Sequence, residues 1–388
     1  MARRLLRVLI LSTLLTSMGR SQTFSDFLQK LSAASDTSQR TNLIDDFLTK
    51  NPPPVFEGNH VHFLYRGKAK SAAVPGEMNN WTPSKGLMES VPKTNLWYRT
   101  ETFPENARVE YKLWVDSSWM LDPANPKISE GAFGPNSEVW MPAYRPSPVV
   151  EYNRLISHGN IETLWIKSKF LKQRHPVIVY RPKGTRWRKV PVVYVTDGGE
   201  YMLFGKMINV LDNLISQERI RPIIAVFMDP RTDLDDNRTN RRMTEYAAND
   251  SFLNFVEKEV APLVERRYPA SKKAGERLIL GASMGGLIAT YAVLTRPAFF
   301  GNCAAQSPAY RQADSTVVKF LEKKKKITGK FYIDTGTIYD TQEEARLVSE
   351  KLKQKGAEVI YSEYSEGHNW KNWRARLDKI LEYFFPME

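Results

Sequence analysis

Residues 277–291 read Arg-Leu-Ile-Leu-Gly-Ala-Ser-Met-Gly-Gly-Leu-Ile-Ala-Thr-Tyr, and this stretch decides the fold. Arg277 to Leu280 is a short apolar run typical of a buried strand, and Gly286 to Ala292 is typical of the helix that follows it. Between them, Gly281-Ala-Ser-Met-Gly285 matches the G-x-S-x-G pattern of a nucleophile elbow, in which glycines permit a tight turn from strand to helix. The sequence therefore predicts that the Ser283 hydroxyl projects into a cleft.

A serine hydroxyl becomes an effective nucleophile when an imidazole accepts its proton, and in chains built around this elbow the histidine follows the serine. The chain has five histidines, and only His368 follows Ser283. It comes directly after the predicted strand Val359–Tyr364 and before the last predicted helix. His368 is therefore the predicted general base.

The third member of such a site is a carboxylate that orients the imidazole. The stretch Phe331-Tyr-Ile-Asp-Thr-Gly-Thr-Ile-Tyr-Asp offers Asp334 and Asp340. Asp340 is favoured because it follows the turn at Gly336 and precedes a predicted helix, whereas Asp334 lies within the predicted strand. Asp340 could instead serve as the helix N-cap, and Glu344 is a more distant candidate for the acid.

Two backbone N–H groups are needed to bind the oxyanion that forms during acyl transfer. Met284, directly after the serine, is predicted to supply one of them. The second is expected from the loop Val195–Tyr201, whose adjacent glycines allow the backbone to approach a substrate closely. Gly199 is the predicted donor, and Asp197 is predicted to be structural.

Residues 147–388 alternate strand-like and helix-like segments, which predicts an α/β domain with a doubly wound, mostly parallel sheet. The predicted strands are Val177–Tyr180, Val190–Thr196, Ile223–Phe227, Leu278–Leu280, Lys330–Ile333 and Val359–Tyr364. The predicted helices are Phe252–Val264, Leu287–Leu294, Glu343–Lys353 and Trp373–Phe385.

Two smaller units are predicted before this domain. Residues 22–51 have apolar side chains at helical spacing and are predicted to form two short helices that end at the prolines of residues 52–54. Residues 52–146 carry short β-rich runs separated by Gly, Pro and Asn clusters, which predicts a small all-β sandwich.

Residues 1–21 combine three early arginines, a short apolar run and small residues near Ser21, the pattern of a secretory signal peptide. We expect export to the periplasm or the extracellular space, with no membrane span in the mature chain. Cleavage would remove four arginines and no acidic residue, so the formal net charge would fall from +13 to +9. Such a chain can attract anionic partners, but the run Lys323–Lys326 has no interleaved aromatic residues, so nucleic acid is not an expected partner.

Cys303 is the one cysteine of the chain, which excludes an internal disulfide and a four-thiolate zinc site. No metal ion or organic cofactor is predicted, because a Ser, His and Asp set needs none.

The motifs of residues 150–388 together resemble the esterase D-like branch of the α/β-hydrolases, which includes enterochelin (ferric siderophore) esterases, feruloyl esterases and mycolyltransferases. The motifs that carry this resemblance are YVTDGGEY, RRMTEYAANDSFLNFVEKEVAPLVERRYP, GASMGG, GTIYD and EGHNWKNWRARL. The resemblance implies an α/β-hydrolase fold, with Ser283 as nucleophile and His368 as base. Asn369 stands where the family usually has an acid, and GTIYD is one residue longer than the family's turn, which keeps Asp334 in contention.

The β-rich module resembles the glycogen-binding, immunoglobulin-like domain (the CBM48/E-set type) of starch-active enzymes, and siderophore esterases carry a related domain. The resemblance lies in Val74-Pro-Gly-Glu-Met-Asn-Asn-Trp-Thr-Pro and Tyr111-Lys-Leu-Trp-Val-Asp-Ser-Ser-Trp. It implies a carbohydrate contact, or packing of the same tryptophans in the core or on the catalytic domain. The residues that match the sugar-binding positions are Trp81, Lys112, Trp119 and Asn136.

These observations predict an exported serine esterase that acts on a small or polysaccharide-linked ester, with feruloyl or acetyl esters of polysaccharide favoured. Three alternatives stay open: a ferric enterobactin-type siderophore esterase, a sugar acyltransferase, and a carbohydrate-binding protein with an inactive hydrolase domain.

Overall fold

The structure is a computed structural model that describes residues 23–184 and 189–387. The export signal predicted for residues 1–21 lies outside the described residues. Within the two described ranges, no helix is both long enough and apolar enough to cross a bilayer.

Two helices begin the described chain, α1 (Phe24–Ala33) and α2 (Thr37–Lys50), as the apolar spacing predicts. The rings of Phe27 and Phe47 stack with their centroids 3.9 Å apart. Both side chains belong to an apolar cluster that includes Leu64 of the following β module. The two helices therefore cover one face of that module.

Residues 52–146 form an all-β module of short strands. The strands are β1 (Val55–Glu57), β2 (His60–Arg66), β3 (Ala72–Ala73), β4 (Glu89–Ser90), β5 (Leu96–Thr102), β6 (Arg108–Tyr111), β7 (Leu113–Val115), β8 (Ser118–Met120), β9 (Ile128–Ser129) and β10 (Asn136–Trp140). They pair antiparallel in a four-stranded sheet of order β1-β2-β5-β4 and two three-stranded sheets, β6-β10-β9 and β3-β7-β8. Phe63, Val109 and Tyr111 are fully buried in its core. The immunoglobulin-like identity of this module stays a prediction.

The α/β domain is built on an eight-stranded sheet of order β11-β12-β14-β13-β15-β16-β17-β18. Its strands are β11 (Asn160–Lys167), β12 (Arg174–Arg181), β13 (Val192–Val195), β14 (Ile224–Met228), β15 (Arg277–Ala282), β16 (Asn302–Gln306), β17 (Lys330–Gly336) and β18 (Glu358–Tyr364). β11, β12 and β14 pair antiparallel, and every pair from β14 through β18 is parallel. The sheet is thus mostly parallel, as predicted.

Helices pack on both faces of this sheet. They are α3 (Gly198–Leu203), α4 (Met207–Ser216), α5 (Arg242–Glu245), α6 (Asp250–Phe255), α7 (Ala261–Arg267), α8 (Met284–Thr295), α9 (Gln312–Lys323), α10 (Gln342–Gln354), α11 (Trp370–Arg374) and α12 (Leu377–Phe384), and a π-helical segment, Val256–Val260, joins α6 to α7. Successive residues of β13 enter different apolar clusters: Val192 and Tyr194 one, Val193 and Val195 the other. Because successive side chains of a strand point to opposite faces, both faces are buried, which is the doubly wound arrangement.

Two strands were missed by the sequence patterns. β16 reads Asn-Cys-Ala-Ala-Gln, without the β-branched residues that mark a strand, yet all five residues are buried in an interior strand of the sheet. β11 is an edge strand that is exposed along most of its length, so it lacks the apolar run expected of a central strand.

The parallel strands place the chemistry-bearing residues together. Loops that leave the carboxyl ends of neighbouring parallel strands meet at one edge of a sheet, which is where open α/β folds bind their ligands. The residues that follow these strand ends are Thr196 to Gly199 after β13, Ser283 after β15, Ser307 after β16, Asp340 after β17 and His368 after β18.

Candidate active site

Ser283 lies in the turn between β15 and α8, with φ 56° and ψ −117°. This conformation is strained for a residue with a side chain, and such strain persists where the surroundings fix the backbone. The Ser283 N–H donates to the Gln306 carbonyl at 2.8 Å, and the Ser283 carbonyl accepts from the Ala309 N–H at 3.0 Å. The elbow is therefore held from the side by the β16 strand and the loop after it.

The two glycines of the elbow are required by space. A Cβ atom at Gly285 would lie 2.3 Å from Thr196 Oγ1. A Cβ atom at Gly281 would lie 2.2 Å from the same oxygen and 2.4 Å from the Gly285 backbone. Thr196 thus packs against the inside of the turn, and the G-x-S-x-G spacing follows from that contact.

His368 and Asp340 are in direct contact. His368 Nδ1 lies 2.7 Å from Asp340 Oδ1, and the imidazole is about one-third exposed while the carboxylate is fully buried. A proton on Nδ1 shared with the carboxylate leaves Nε2 as the free, basic nitrogen of the ring. His368 and Ser283 line the same cavity, whose volume is about 620 Å³.

The Asp340 carboxylate has further donors behind the histidine. Oδ2 accepts from the Ser307 hydroxyl at 2.6 Å and from the Gly336 N–H at 2.7 Å. The Ser307 hydroxyl in turn accepts from Trp373 Nε1 at 2.9 Å. Burial alone would raise the pKa of Asp340, but the hydrogen bonds from His368, Ser307 and Gly336 outweigh it and hold that pKa below its usual value. The carboxylate is therefore ionised at neutral pH.

The other two candidates for the acid have different partners. Asp334 is buried at the end of β17, where Oδ2 accepts from Gln306 Nε2 at 3.3 Å, and burial raises its pKa to about 7. Glu344 forms an ion pair with Arg311. Of the three carboxylates considered from the sequence, Asp340 is the one that the structure brings to His368.

The two predicted oxyanion donors differ in their surroundings. Met284 is the first residue of α8, where N–H groups have no acceptor within the helix. The Gly199 N–H instead donates to Asp229 Oδ2 at 2.9 Å. This departs from the expectation that Gly199 presents its N–H to the cavity, because a buried carboxylate that also binds Arg231 is its acceptor here.

Arg242 links the elbow to the loop after β13. Its Nε donates to Asp197 Oδ1 at 2.8 Å, and its Nη2 donates to the Ala282 carbonyl at 3.0 Å. Asp197 therefore has the structural role that the sequence predicted. Arg242 lines the cavity together with Glu200, whose pKa is raised to about 7 by burial and, to a smaller degree, by Asp197.

The four residues predicted to contact sugar do not form a separate surface. Trp81, Lys112, Trp119 and Asn136 all line the cavity that Ser283 and His368 line. Trp119 is about half-exposed, and Asn136 Nδ2 donates to Glu110 Oε2 at 2.8 Å. The β module thus supplies one wall of the candidate active site, and a sugar contact there stays a prediction.

Two residues of the site carry no sequence signal of their own. Ser307 and Gln306 hold Asp340 and the elbow in place, yet neither belongs to a recognised motif. Trp373, which donates to Ser307, lies within the EGHNWKNWRARL stretch. Among the described residues, no group of three or more His, Cys, Asp or Glu side chains is arranged to hold a metal ion.

Comparison with known proteins identifies a family model and relatives that match this chain. A family model described as a putative esterase matches residues 168–384. The chain is 30% identical over 248 residues to the iron(III) enterobactin esterase of Escherichia coli (strain K12), covering 58% of this chain and 60% of that protein. It is 25% identical over 307 residues to the endo-1,4-beta-xylanase/feruloyl esterase of Xylanibacter ruminicola, covering 76% of this chain and 40% of that protein.

Among solved structures, the chain resembles the ferric enterobactin esterase of Salmonella typhimurium, with a TM-score of 0.74 and 18% identity. The superposition covers 88% of this chain and 98% of that one, so it includes the β module as well as the sheet. At this identity the likeness shows the fold alone.

Proposed function

Because the chain belongs to the putative esterase family and is a carboxylic-ester hydrolase, we propose that it works through a covalent acyl-enzyme on Ser283. His368 accepts the Ser283 proton as the hydroxyl oxygen attacks the ester carbonyl carbon. It donates that proton to the leaving alcohol as the ester C–O bond breaks. Water, deprotonated by the same imidazole, then cleaves the acyl–serine bond and releases the acid.

Asp340 and Met284 support the two charges that develop in this reaction. Asp340 fixes the ring with Nε2 free and stabilises the imidazolium that forms. In this proposal the Met284 N–H, at the positive end of α8, binds the oxyanion. Gly199 can act as the second donor once its N–H leaves Asp229, and that role stays a prediction.

One observation carries this proposal. The buried, ionised Asp340 holds His368 in the wall of the cavity that Ser283, in its strained turn, also lines. This arrangement is the general one for an activated serine nucleophile, a base and a residue that orients the base.

For the substrate, we propose an uncharged ester with an aromatic or sugar ring, such as a feruloyl or acetyl ester of polysaccharide. Five aromatic side chains line the cavity besides His368, and flat rings stack well on such side chains. These aromatic residues are Trp81, Trp119, Phe133, Trp370 and Trp373.

The charge of the cavity supports an uncharged substrate. Although the whole chain is basic, four carboxylates line the cavity against one lysine and one arginine. They are Glu77, Glu110, Glu130 and Glu200, and the cations are Lys112 and Arg242. The pKa of Glu77 is raised to about 8 and that of Glu200 to about 7, so the surplus of negative charge develops as the pH rises above neutral. Above neutral pH this surplus disfavours an anion at short range, whatever the net charge of the protein does at long range.

The second candidate is a ferric siderophore esterase. It is favoured by the relatives named as enterobactin esterases and by a fold likeness that extends over the β module. The cavity charge opposes it, because an iron(III) catecholate complex is an anion: its ionised oxygens outnumber the charges of the metal ion.

Turnover of methyl ferulate and of ferric enterobactin by the purified full-length protein separates the two candidates. We expect cleavage of methyl ferulate, and Ser283→Ala should lower kcat by about 10⁴-fold or more. Cleavage of ferric enterobactin alone would replace our proposal with the second candidate. If short p-nitrophenyl esters are cleaved and neither named substrate is, both substrate proposals fail while the chemistry stands.

Two further readings have their own tests. A sugar acyltransferase would transfer the acyl group to an added sugar faster than to water, which product analysis would detect. A carbohydrate-binding protein with an inactive hydrolase domain would leave Ser283 unlabelled by a fluorophosphonate probe. We expect hydrolysis to dominate and the probe to label Ser283.

We also propose that the protein is exported. The support is the charged and apolar pattern of residues 1–21. Expression of the full chain in a bacterial host, followed by N-terminal sequencing, should show a mature protein in the periplasm or medium that begins at Gln22. An intact N-terminus in the cytoplasm would overturn this.

A further inference from the structure

The loop that carries His368 is bound to the β module on both sides of the histidine. On one side, a Cβ atom at Gly367 would lie 2.3 Å from Glu77 Cδ, so the Glu77 carboxylate rests directly on the Gly367 backbone. On the other side, Asn369 Nδ2 donates to Glu77 Oε1 at 2.6 Å. A single carboxylate of the β module therefore contacts both chain neighbours of the imidazole.

Arg108 adds a second grip on the same loop. Its Nη1 donates to Asn369 Oδ1 at 2.9 Å, and its backbone N–H donates to the Ser365 carbonyl at 3.1 Å. Asn369 is thus held at both ends of its amide, and it also caps α11 by accepting from the Asn372 N–H at 2.9 Å. These contacts fix the position of Asn369, the residue directly after His368.

The two gripping residues are themselves fixed. Arg108 is fully buried, and it forms ion pairs with Glu138 at 2.9 Å and Glu366 at 3.4 Å. Both oxygens of Glu77 are occupied, because Oε2 accepts from the Glu110 N–H at 2.9 Å. Although Glu77 reaches the cavity wall, it is 5% exposed, so it acts on the loop rather than on a ligand.

We infer that the β module is part of the catalytic apparatus as a scaffold for the base, with Glu77 and Arg108 as positioning residues for the His368 imidazole. The inference rests on the proposed function of His368. Asp340 fixes the ring at Nδ1, but the ring also depends on where its Cα atom lies, and that is set by Gly367 and Asn369. A displacement of about 1 Å at a reacting group can cost about 100-fold in rate.

A positioning role and a merely structural role predict different results for Glu77→Gln. The substitution keeps the shape of the side chain, but it puts an NH₂ group opposite one of two N–H donors. It also removes a buried carboxylate whose pKa is raised to about 8, mainly by burial and then by Glu110. The protein should therefore keep its melting temperature or gain a few degrees, whereas a structural role for the carboxylate predicts a loss.

The test compares full-length wild type, Glu77→Gln, Asn369→Ser and Lys371→Gln. Asn369→Ser keeps a capping side chain for α11 and removes both contacts to the β module. Lys371→Gln is the matched control, because it removes an interdomain ion pair (Lys371 Nζ to Glu138 Oε1, 2.6 Å) without touching the neighbours of His368. The measurements are kcat and KM on a p-nitrophenyl ester, the melting temperature, and the downfield proton NMR signal of the His368–Asp340 hydrogen bond.

We expect Glu77→Gln and Asn369→Ser to lower kcat about 10- to 100-fold with KM within about twofold, and to broaden or shift the downfield proton. Lys371→Gln should stay within about twofold of wild type in both constants. Folded Glu77→Gln and Asn369→Ser variants with wild-type kcat and an unchanged downfield signal would overturn the inference. If wild type cleaves no ester, the proposed function fails, and the NMR signal alone then decides whether Glu77 positions the ring.

Discussion

Asp340 holds His368 through a 2.7 Å contact between Oδ1 and Nδ1, and the other oxygen of the same carboxylate is held by Ser307 and Gly336. The orientation of the ring is therefore fixed from behind, by residues that never face the cavity opening. This relationship gives the first two predictions.

Asp340→Asn should lower kcat about 10⁴-fold while the protein stays folded, because an amide can place the histidine in the wrong tautomer. Asp334→Asn is the matched control. Because burial raises the Asp334 pKa to about 7, its neutral isostere should be tolerated and kcat should stay within about fivefold. Measuring kcat of both variants identifies the carboxylate that orients His368. A large loss of kcat in Asp334→Asn with little change in Asp340→Asn would assign that role to Asp334.

Ser307→Ala should lower kcat about 10-fold and the free energy of unfolding by about 1–2 kcal/mol. It removes one donor to Asp340 and leaves the Trp373 indole N–H without its acceptor. Ser349→Ala is a control in another buried serine, whose hydroxyl has no hydrogen-bond partner among the described residues. The measurements are kcat and the free energy of unfolding in urea for both variants. Equal losses in Ser307→Ala and Ser349→Ala would contradict the prediction.

Gly285→Ala should destabilise the protein by about 3 kcal/mol, because the new methyl group would overlap Thr196 Oγ1. Removing that oxygen should relieve the overlap, so the double variant Thr196→Ala/Gly285→Ala should recover about half of the loss. Urea unfolding of the two single variants and the double variant measures the coupling. Strict additivity of the two single effects would show that the overlap is not the cause.

The preference for uncharged esters should grow as the pH rises. Glu200, with a pKa of about 7, is mostly neutral at about pH 6 and mostly ionised at about pH 8, so the cavity becomes more negative over this interval. The kcat/KM of an anionic p-nitrophenyl hemiglutarate, divided by that of p-nitrophenyl butyrate, should fall about fivefold between these values. Groups whose titration changes kcat/KM of both esters equally do not affect this quotient.

Glu200→Gln should weaken this pH dependence, and the part that remains should come from Glu77, whose pKa is raised to about 8. It should also raise the quotient at about pH 8, because one negative charge is missing from the cavity wall. A quotient that rises with pH in the wild type would contradict the charge argument for an uncharged substrate.

The sequence predicted well those elements whose conformation is restricted by residues close to them in the chain. The Ser283 elbow needs glycine on both sides, and the contact with Thr196 shows why. His368 was predicted because the other histidines precede the serine in the chain. The mostly parallel sheet followed from apolar runs that alternate with helical spacing, and these runs are buried on both faces.

What escaped prediction depends on contacts between distant parts of the chain. Ser307 holds Asp340 across 33 positions, and Glu77 holds Asn369 across 292 positions. Patterns of residue spacing along the sequence do not predict contacts between residues so far apart. Gly199 shows the same limit, because the acceptor of its N–H, Asp229, comes from the neighbouring strand β14 and its loop.

The sequence left two roles open for the tryptophans of the β module, sugar contact or packing, and the structure places Trp81 and Trp119 in the wall of the cavity. The enzyme is thus assembled from two pieces of chain: one holds the nucleophile, and the other shapes the space in front of it and contacts the loop that carries His368. Chimeras that exchange residues 52–146 between relatives should therefore transplant substrate preference, provided that the equivalents of Glu77 and Arg108 travel with the exchanged piece.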